Sequence, residues 1–260
     1  MIEHKFKKKF GQNFLNDKNI IKKIASICDT SSNDLIIEIG PGSGSLTEYL
    51  VLKSNVLAYE IDIDLKDNLL NKFIDKNISF IFDDFLKRDL VNDLSNISYN
   101  NLYVIANLPY YITTPIINKI IDSKINVSKM VLMVQKEVGE RFSAQVGTRN
   151  YSSITIFLNY YFDIKREFVV SSECFYPKPN VDSIVISFTR KKEKKYVKDE
   201  ELFFKLIRDS FKQKRKTLKN NLKEYDFNKI QEILLKHNLP LDIRAENISL
   251  EIFCEICNNL

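Results

Sequence analysis

The segment Leu35-Ile-Ile-Glu-Ile39 runs directly into Gly40-Pro-Gly42-Ser-Gly44. A short apolar run that stops at glycine reads as a buried strand, and residues 44–53 then read as a helix. Alternating glycines at such a turn permit a tight backbone path and close approach of a ligand. The same alternation continues down the chain. Strand patterns at 56–60, 78–82, 103–106 and 129–134 are interspersed with helical patterns at 65–73 and 114–123. Upstream, apolar positions Ile20, Ile21, Ile24 and Ile27 give 16–28 a helical spacing, with Asp17 as its N-cap. Strands alternating with helices over this length predict a parallel or mostly parallel sheet covered on both faces, an α/β fold.

Past residue 160 the pattern changes. Strands are expected at 164–170 and 183–189, and helical spacing dominates from Glu200 onward. The lysine-rich stretch 190–198 reads as a linker, which predicts a first domain over 1–192 and an all-helical domain over 193–260. Composition excludes several functions. The only histidines are His4 and His237, too few for a His-based triad or a His-rich metal centre, so no metal is expected. Four cysteines do not make a disulfide framework, and a reduced, cytoplasmic setting is the expectation. No apolar run approaches the ~18–20 residues of a membrane span, and the basic start MIEHKFKKKF leads into no apolar segment of the secretory kind. Cys254-Glu-Ile-Cys257 has the spacing of a zinc pair, but its neighbours Ile252, Phe253 and Ile256 follow a helical core pattern, so both thiols read as structural.

The net charge of +5 is unevenly spread. Residues 1–23 hold seven lysines against Glu3 and Asp17, and residues 190–219 hold thirteen Lys or Arg against five acids, leaving the rest of the chain net acidic. Two basic segments on an acidic body suit a polyanion. The run Lys212-Gln-Lys-Arg-Lys216 falls in a helical pattern, and lysine, which dominates both segments, meets phosphate as a point charge better than it reads bases.

Beyond the strand ends stand residues with matching chemistry. Glu60 lies twenty positions after Gly40, where an acid can accept both hydrogen bonds of a ribose diol. Asp84 follows the third strand, where a carboxylate can accept from an exocyclic amine such as adenine N6. The loop is neither the G-x-G-x-x-G dinucleotide fingerprint nor a Walker loop, since Ser45-Leu46 follows Gly44, and nucleotide hydrolysis is disfavoured. Asn107-Leu-Pro-Tyr110 follows the fourth strand, at the carboxyl edge where α/β proteins bind ligands. The amine of adenine is a poor nucleophile because its lone pair is delocalised into the ring. The Asn107 side-chain oxygen and the Leu108 carbonyl can accept its two hydrogens, Pro109 fixes the direction of that carbonyl, and Tyr110 can stack on the base.

With its E-x-G-x-G-x-G loop, Glu60 and Asp84, the chain resembles class I S-adenosylmethionine-dependent methyltransferases, which implies a Rossmann-like domain. Lys9-Phe-Gly-Gln-Asn-Phe-Leu15, Asn107-Leu-Pro-Tyr-Tyr-Ile-Thr-Thr-Pro-Ile116, Phe175-Tyr-Pro-Lys-Pro-Asn-Val-Asp-Ser183 and Phe211-Lys-Gln-Lys-Arg-Lys-Thr-Leu-Lys-Asn-Asn221 are similar, in that order, to motifs of the ribosomal RNA adenine N6-dimethyltransferases, in the KsgA/RsmA branch that acts on small-subunit rRNA. The resemblance spans about residues 5–222. It implies dimethylation of two adjacent adenosines in the 3′-terminal hairpin loop of 16S rRNA, on an immature small ribosomal subunit, with S-adenosyl-L-methionine as methyl donor. Asn13, Leu15, Gly40, Gly42, Glu60, Asp84 and Asn107 are then expected at the cofactor. Asn107, Leu108, Pro109 and Tyr110 are expected at the target adenine, with Phe175 stacked on its other face. Lys7, Lys8, Lys9, Lys212, Lys214, Arg215 and Lys216 are expected at rRNA phosphates, and a monomer is the expected state. The related branch that methylates large-subunit rRNA shares the cofactor motifs but usually carries Ile where Leu108 stands. A role chiefly in subunit assembly, with methylation as a release signal, is the reading from a different class.

Overall fold

The computed structural model describes residues 13–109 and 112–260. Two compact units emerge: one comprises residues up to Gly139 together with Lys165–Thr189, the other Glu140–Ile164 with Arg190–Leu260. The sequence pattern predicts one boundary near residue 192, whereas the chain passes between the units three times. Residues 140–164 belong with the second unit because of their aromatic side chains. Tyr160 is buried there against Phe203 and Phe204, with ring centroids 5.1 and 5.5 Å away.

The first unit begins with β1 (Phe14–Leu15) and α1 (Lys18–Ala25). Asp17 caps α1, its carboxylate accepting from the N–H groups of Asn19 and Ile20 at 2.8 and 3.1 Å. Then follow β2 (Leu35–Ile39), α2 (Thr47–Leu50), β3 (Asn55–Tyr59), α3 (Lys66–Lys72), β4 (Ile78–Ile81), α4 (Leu90–Leu94), β5 (Leu102–Asn107), α5 (Thr113–Asp122), β6 (Val127–Gln135) and α6 (Lys136–Phe142). The helix predicted over 44–53 is regular only in α2; tight turns carry the chain on either side of it. In the second unit α7 (Ser153–Tyr161) leads into β7 (Phe162–Val170), along which the chain returns to the first unit, and β8 (Phe175–Tyr176) and β9 (Ser183–Arg190) follow there. Helices α8 (Glu200–Ser210), α9 (Leu218–Asn221), α10 (Phe227–Lys236) and α11 (Leu250–Asn259) close the chain. Among the described residues no helix is long and apolar enough to cross a membrane.

The central sheet runs β4-β3-β2-β5-β6-β9-β7. Its first five strands are mutually parallel, and β9 is antiparallel to β6. From β2 the chain winds outward to β3 and β4, then crosses back to β5 and β6, so the strand order reverses between β2 and β5. That switch point opens a crevice at the carboxyl ends of the strands. Strand alternation fixes which side chains face it. Ile36 of β2, Val56 and Ala58 of β3, Ile105 of β5 and Val131 and Met133 of β6 share one apolar cluster with Ile21 and Ile24 of α1 and Leu46 and Leu50 around α2. Continuing each alternation by two residues places Glu38, Glu60 and Asn107 on that same face, at its carboxyl edge.

Glu38 is the anomaly of this core. It is 1% exposed inside a strand whose every residue is buried. Its Oε2 accepts from the Thr47 hydroxyl at 2.7 Å, and burial, with the nearby Glu60 charge, pushes the carboxyl up to about 8. In the second unit Cys254 and Cys257 of α11 are buried in an apolar cluster with Phe203, Ile230 and Phe253, and burial pushes the Cys254 thiol up to about 12. Cys28 of the first unit is buried and pushed up to about 11, while Cys174 is half-buried.

Two outcomes follow. Titration of the native protein with a thiol reagent at pH 8 is expected to modify at most Cys174 rapidly, and all four cysteines only after denaturation, because buried thiols are both inaccessible and un-ionised. For Glu38, the folded carboxyl binds its proton more tightly than the unfolded chain does. Its contribution is therefore intact below pH ~4.5 and is lost as pH rises through about 8. Glu38→Gln, which keeps an acceptor for Thr47, is expected to be near-neutral in stability at pH 5 and stabilising by a few kcal/mol at pH 9 in denaturant titrations.

Candidate active site

The crevice at the switch point is a cleft partly open to solvent. Its walls are the segment around β1, the glycine loop after β2, the end of β3 and the turn after β5. The glycine loop is shaped by left-handed residues: φ is +70° at Gly40, +58° at Gly42 and +78° at Gly44. At Gly40 a Cβ would meet nothing within 4 Å, so the backbone there borders open space. At Gly42 a Cβ would stand 2.5 Å from Cε1 of Phe14, so that ring lies directly on the loop. At Gly44 the obstacle is Phe73, 2.6 Å away, just past α3.

Glu60 ties the loop to the end of β3. It is 3% exposed, and its two oxygens accept from the Gly42 N–H at 3.0 Å and the Asp62 N–H at 2.8 Å. Burial raises its carboxyl above the usual range against the pull of those two donors. A carboxylate has about four acceptor positions, so Glu60 keeps room for a ligand's hydroxyl. On the opposite wall the Asn107 Nδ2 donates to the Asn13 carbonyl at 3.2 Å, which turns its side-chain oxygen the other way. The Leu108 N–H donates to the Met133 carbonyl at 3.2 Å, locking the turn to β6, and the Pro109 carbonyl accepts from Ile112 at 3.2 Å as α5 begins.

Of the residues singled out by sequence, Asn13, Leu15, Gly40, Gly42, Glu60, Asn107, Leu108 and Pro109 therefore meet at one crevice. Asp84 stands apart from these walls; its Oδ1 caps a short turn by accepting from Leu86 N at 3.0 Å. Phe175 pairs with Leu15 across the β1–β8 ribbon and is 5% exposed within the α1-side apolar cluster, whereas its neighbour Tyr176 is 61% exposed. Tyr110, Lys7, Lys8 and Lys9 lie outside the described residues. Lys212, Lys214, Arg215 and Lys216 are all exposed on the second unit. They occupy not a helix, as their spacing predicts, but a turn between α8 and α9. Asn221 breaks the helix there: its amide donates to the carbonyls of Ser210 and Gln213 at 2.7 and 3.2 Å, and its oxygen accepts from Gln213 N at 3.2 Å. The Lys214 ammonium donates to the Arg149 carbonyl at 2.6 Å. Glu38, the acid that heads the E-x-G-x-G-x-G loop, and Phe14 also line the crevice, though neither is among the residues expected at the cofactor.

Comparison with known proteins agrees with this geometry. Residues 3–260 match the family described as Ribosomal RNA adenine dimethylase. A "Ribosomal RNA small subunit methyltransferase A" of Aster yellows witches'-broom phytoplasma is 44% identical, over 97% of this chain and 95% of that protein. A protein of the same name from Streptococcus pneumoniae is 43% identical, over 98% and 92%. Among solved structures, a dimethyladenosine transferase from Plasmodium falciparum superposes with a TM-score of 0.76 at 25% identity, covering 94% of this chain and 95% of that one. The 23S rRNA methyltransferase ErmE shares the fold, with a TM-score of 0.77 at 21% identity over 95% and 99%. A switch-point crevice walled by a glycine loop, a buried acid and an Asn-Leu-Pro turn, on a chain matched almost end to end, makes this protein a member of the ribosomal RNA adenine dimethylase family.

Proposed function

We propose that the chain transfers methyl groups from S-adenosyl-L-methionine to the N6 amines of two adjacent adenosines in the 3′-terminal hairpin loop of 16S rRNA, within an immature small ribosomal subunit. The observation that carries the reading is the convergence of Glu60, the glycine loop and the Asn107–Pro109 turn on one crevice. The small-subunit assignment draws on the relatives at 44% and 43% identity, which bear small-subunit names.

The walls fit the cofactor. Open space beside Gly40 admits a ligand against the backbone, and Glu60, fixed by backbone N–H groups, keeps room for a ribose hydroxyl. When bound, the cofactor supplies an electrophilic methyl group on a positively charged sulfur. This chain's residues do the rest. Asn107 is steadied by Asn13 so that its side-chain oxygen can accept one N6 hydrogen of adenine, and the Leu108 carbonyl can accept the other. Together they localise the amine's lone pair and aim it. No side-chain base is needed, because the methylated nitrogen can lose its proton to water. In this reading Asp84 is assigned the cofactor's adenine, Tyr110 and Phe175 the two faces of the target adenine, and the basic residues of the α8–α9 turn, with Lys7, Lys8 and Lys9, the rRNA phosphates. The protein acts as a monomer in the cytoplasm.

The test is methyl transfer from labelled cofactor to unmethylated small subunits and to protein-free large-subunit rRNA, with nucleosides identified by mass spectrometry. Dimethyladenosine at two neighbouring positions of small-subunit rRNA is expected. Label confined to large-subunit rRNA would overturn the assignment in favour of the other branch. Asn107→Ala is expected to lower kcat on small subunits by roughly a hundredfold, the scale of a lost transition-state contact, and to leave subunit binding within about twofold in a sedimentation assay. Gly42→Ala, strained at φ +58° and colliding with Phe14, is expected to weaken cofactor binding roughly tenfold in calorimetry.

A further inference from the structure

Among the described residues, the crevice walls include two carboxylic acids, Glu38 and Glu60, and no lysine, arginine or histidine. Both acids are almost fully buried, at 1% and 3% exposure. They differ in their partners. Glu60 receives two backbone N–H groups, which favour its charged form. Glu38 receives only the Thr47 hydroxyl, at 2.7 Å from α2. Across β5 it registers with neutral Ile105, and from the end of β3 the titratable group set against it is Glu60, whose charge disfavours its own. An isolated buried carboxyl in a strand costs stability, and an apolar residue would serve the core better. The use of this one lies in what shares its crevice.

We propose that Glu38 sets the crevice's preference for the cationic methyl donor over the product left after transfer. This rests on the reading that the crevice takes S-adenosyl-L-methionine. Donor and product differ chiefly by the methyl group and by the positive charge on sulfur. An ionised carboxylate in a dry wall distinguishes them by charge, where shape distinguishes them poorly. With product or with an empty crevice, Glu38 keeps its proton. As the donor binds, the carboxyl O–H bond breaks and the proton goes to solvent, leaving a carboxylate paired with the sulfonium charge. Transfer removes that charge from the crevice, Glu38 regains a proton from solvent, and the product is held less tightly. Glu38 is on this account a specificity-determining group that relieves product inhibition.

The experiment is calorimetric binding of S-adenosyl-L-methionine and S-adenosyl-L-homocysteine to the full chain and to Glu38→Gln between pH 6.5 and 8.5, in buffers of contrasting ionisation enthalpy. The ligands carry their own titrating amine, so the quantity read is wild type minus variant. The donor-to-product affinity ratio is expected to be roughly tenfold higher in wild type at pH 8. Proton release on donor binding is expected to exceed the variant's, with product affinity within about twofold. Equal ratios and equal proton release in both proteins would overturn the proposal while leaving the cofactor reading intact; failure of wild type to bind either ligand would overturn both. Should the variant not fold, carbon NMR of glutamate-labelled wild type supplies the answer. One carboxyl is expected to be protonated at pH 7 in the free and product-bound protein and ionised with donor. A spectrum in which no carboxyl changes state between the two ligands would overturn the proposal.

Discussion

The 3.0 Å hydrogen bond from the Gly42 N–H to the buried Glu60 carboxylate holds the site together. It joins the loop that leaves β2 to the residue just past β3, beside the bond from the Gly40 N–H to the Tyr59 carbonyl at 2.8 Å. It forms because Gly42 can adopt φ +58° and because Glu60 has been driven into the crevice by the alternation of β3. The Asp62 N–H completes the arrangement at 2.8 Å, so the carboxylate is fixed before any ligand arrives. Preorganisation of this kind spares the ligand the cost of ordering its own contacts.

The other wall is built by a second coupling of the same type. Asn107 at the end of β5 donates to the Asn13 carbonyl, and β1, directly after Asn13, pairs with β8. Phe14 on β1 in turn lies on Gly42. The short ribbon thus links the glycine loop, the Asn-Leu-Pro turn and the segment around Phe175 into one assembly. The Phe175 ring is 5% exposed on this ribbon, and the exposed ring beside it is Tyr176.

Much of this was legible in the sequence for a physical reason. Parallel strands buried on both faces are unbroken apolar runs, and the turns that end them need glycine, so β2, β3, β5 and β6 announce themselves. Glu60 and Asn107 were findable because a polar residue at the end of such a run has nowhere to go but the carboxyl edge. What escaped depended on tertiary partners. The Lys212–Lys216 run has helical spacing, yet Asn221 captures the carbonyls that a continued helix would use. Residues 140–164 look like a continuation of the first unit until Tyr160 finds Phe203 and Phe204. The β1–β8 ribbon joins two-residue strands far apart in sequence, and no periodicity signals strands so short.

The central claim is that one crevice places a methyl donor and an adenine amine on the same face of the sheet. The most direct measurement is a structure of the chain with S-adenosyl-L-homocysteine and adenosine bound. The account predicts the cofactor's ribose diol on Glu60 with the Gly42 bond retained, and the adenine amine between the Asn107 side-chain oxygen and the Leu108 carbonyl. A ribose bound away from Glu60, or an adenine amine held by other groups, would contradict it.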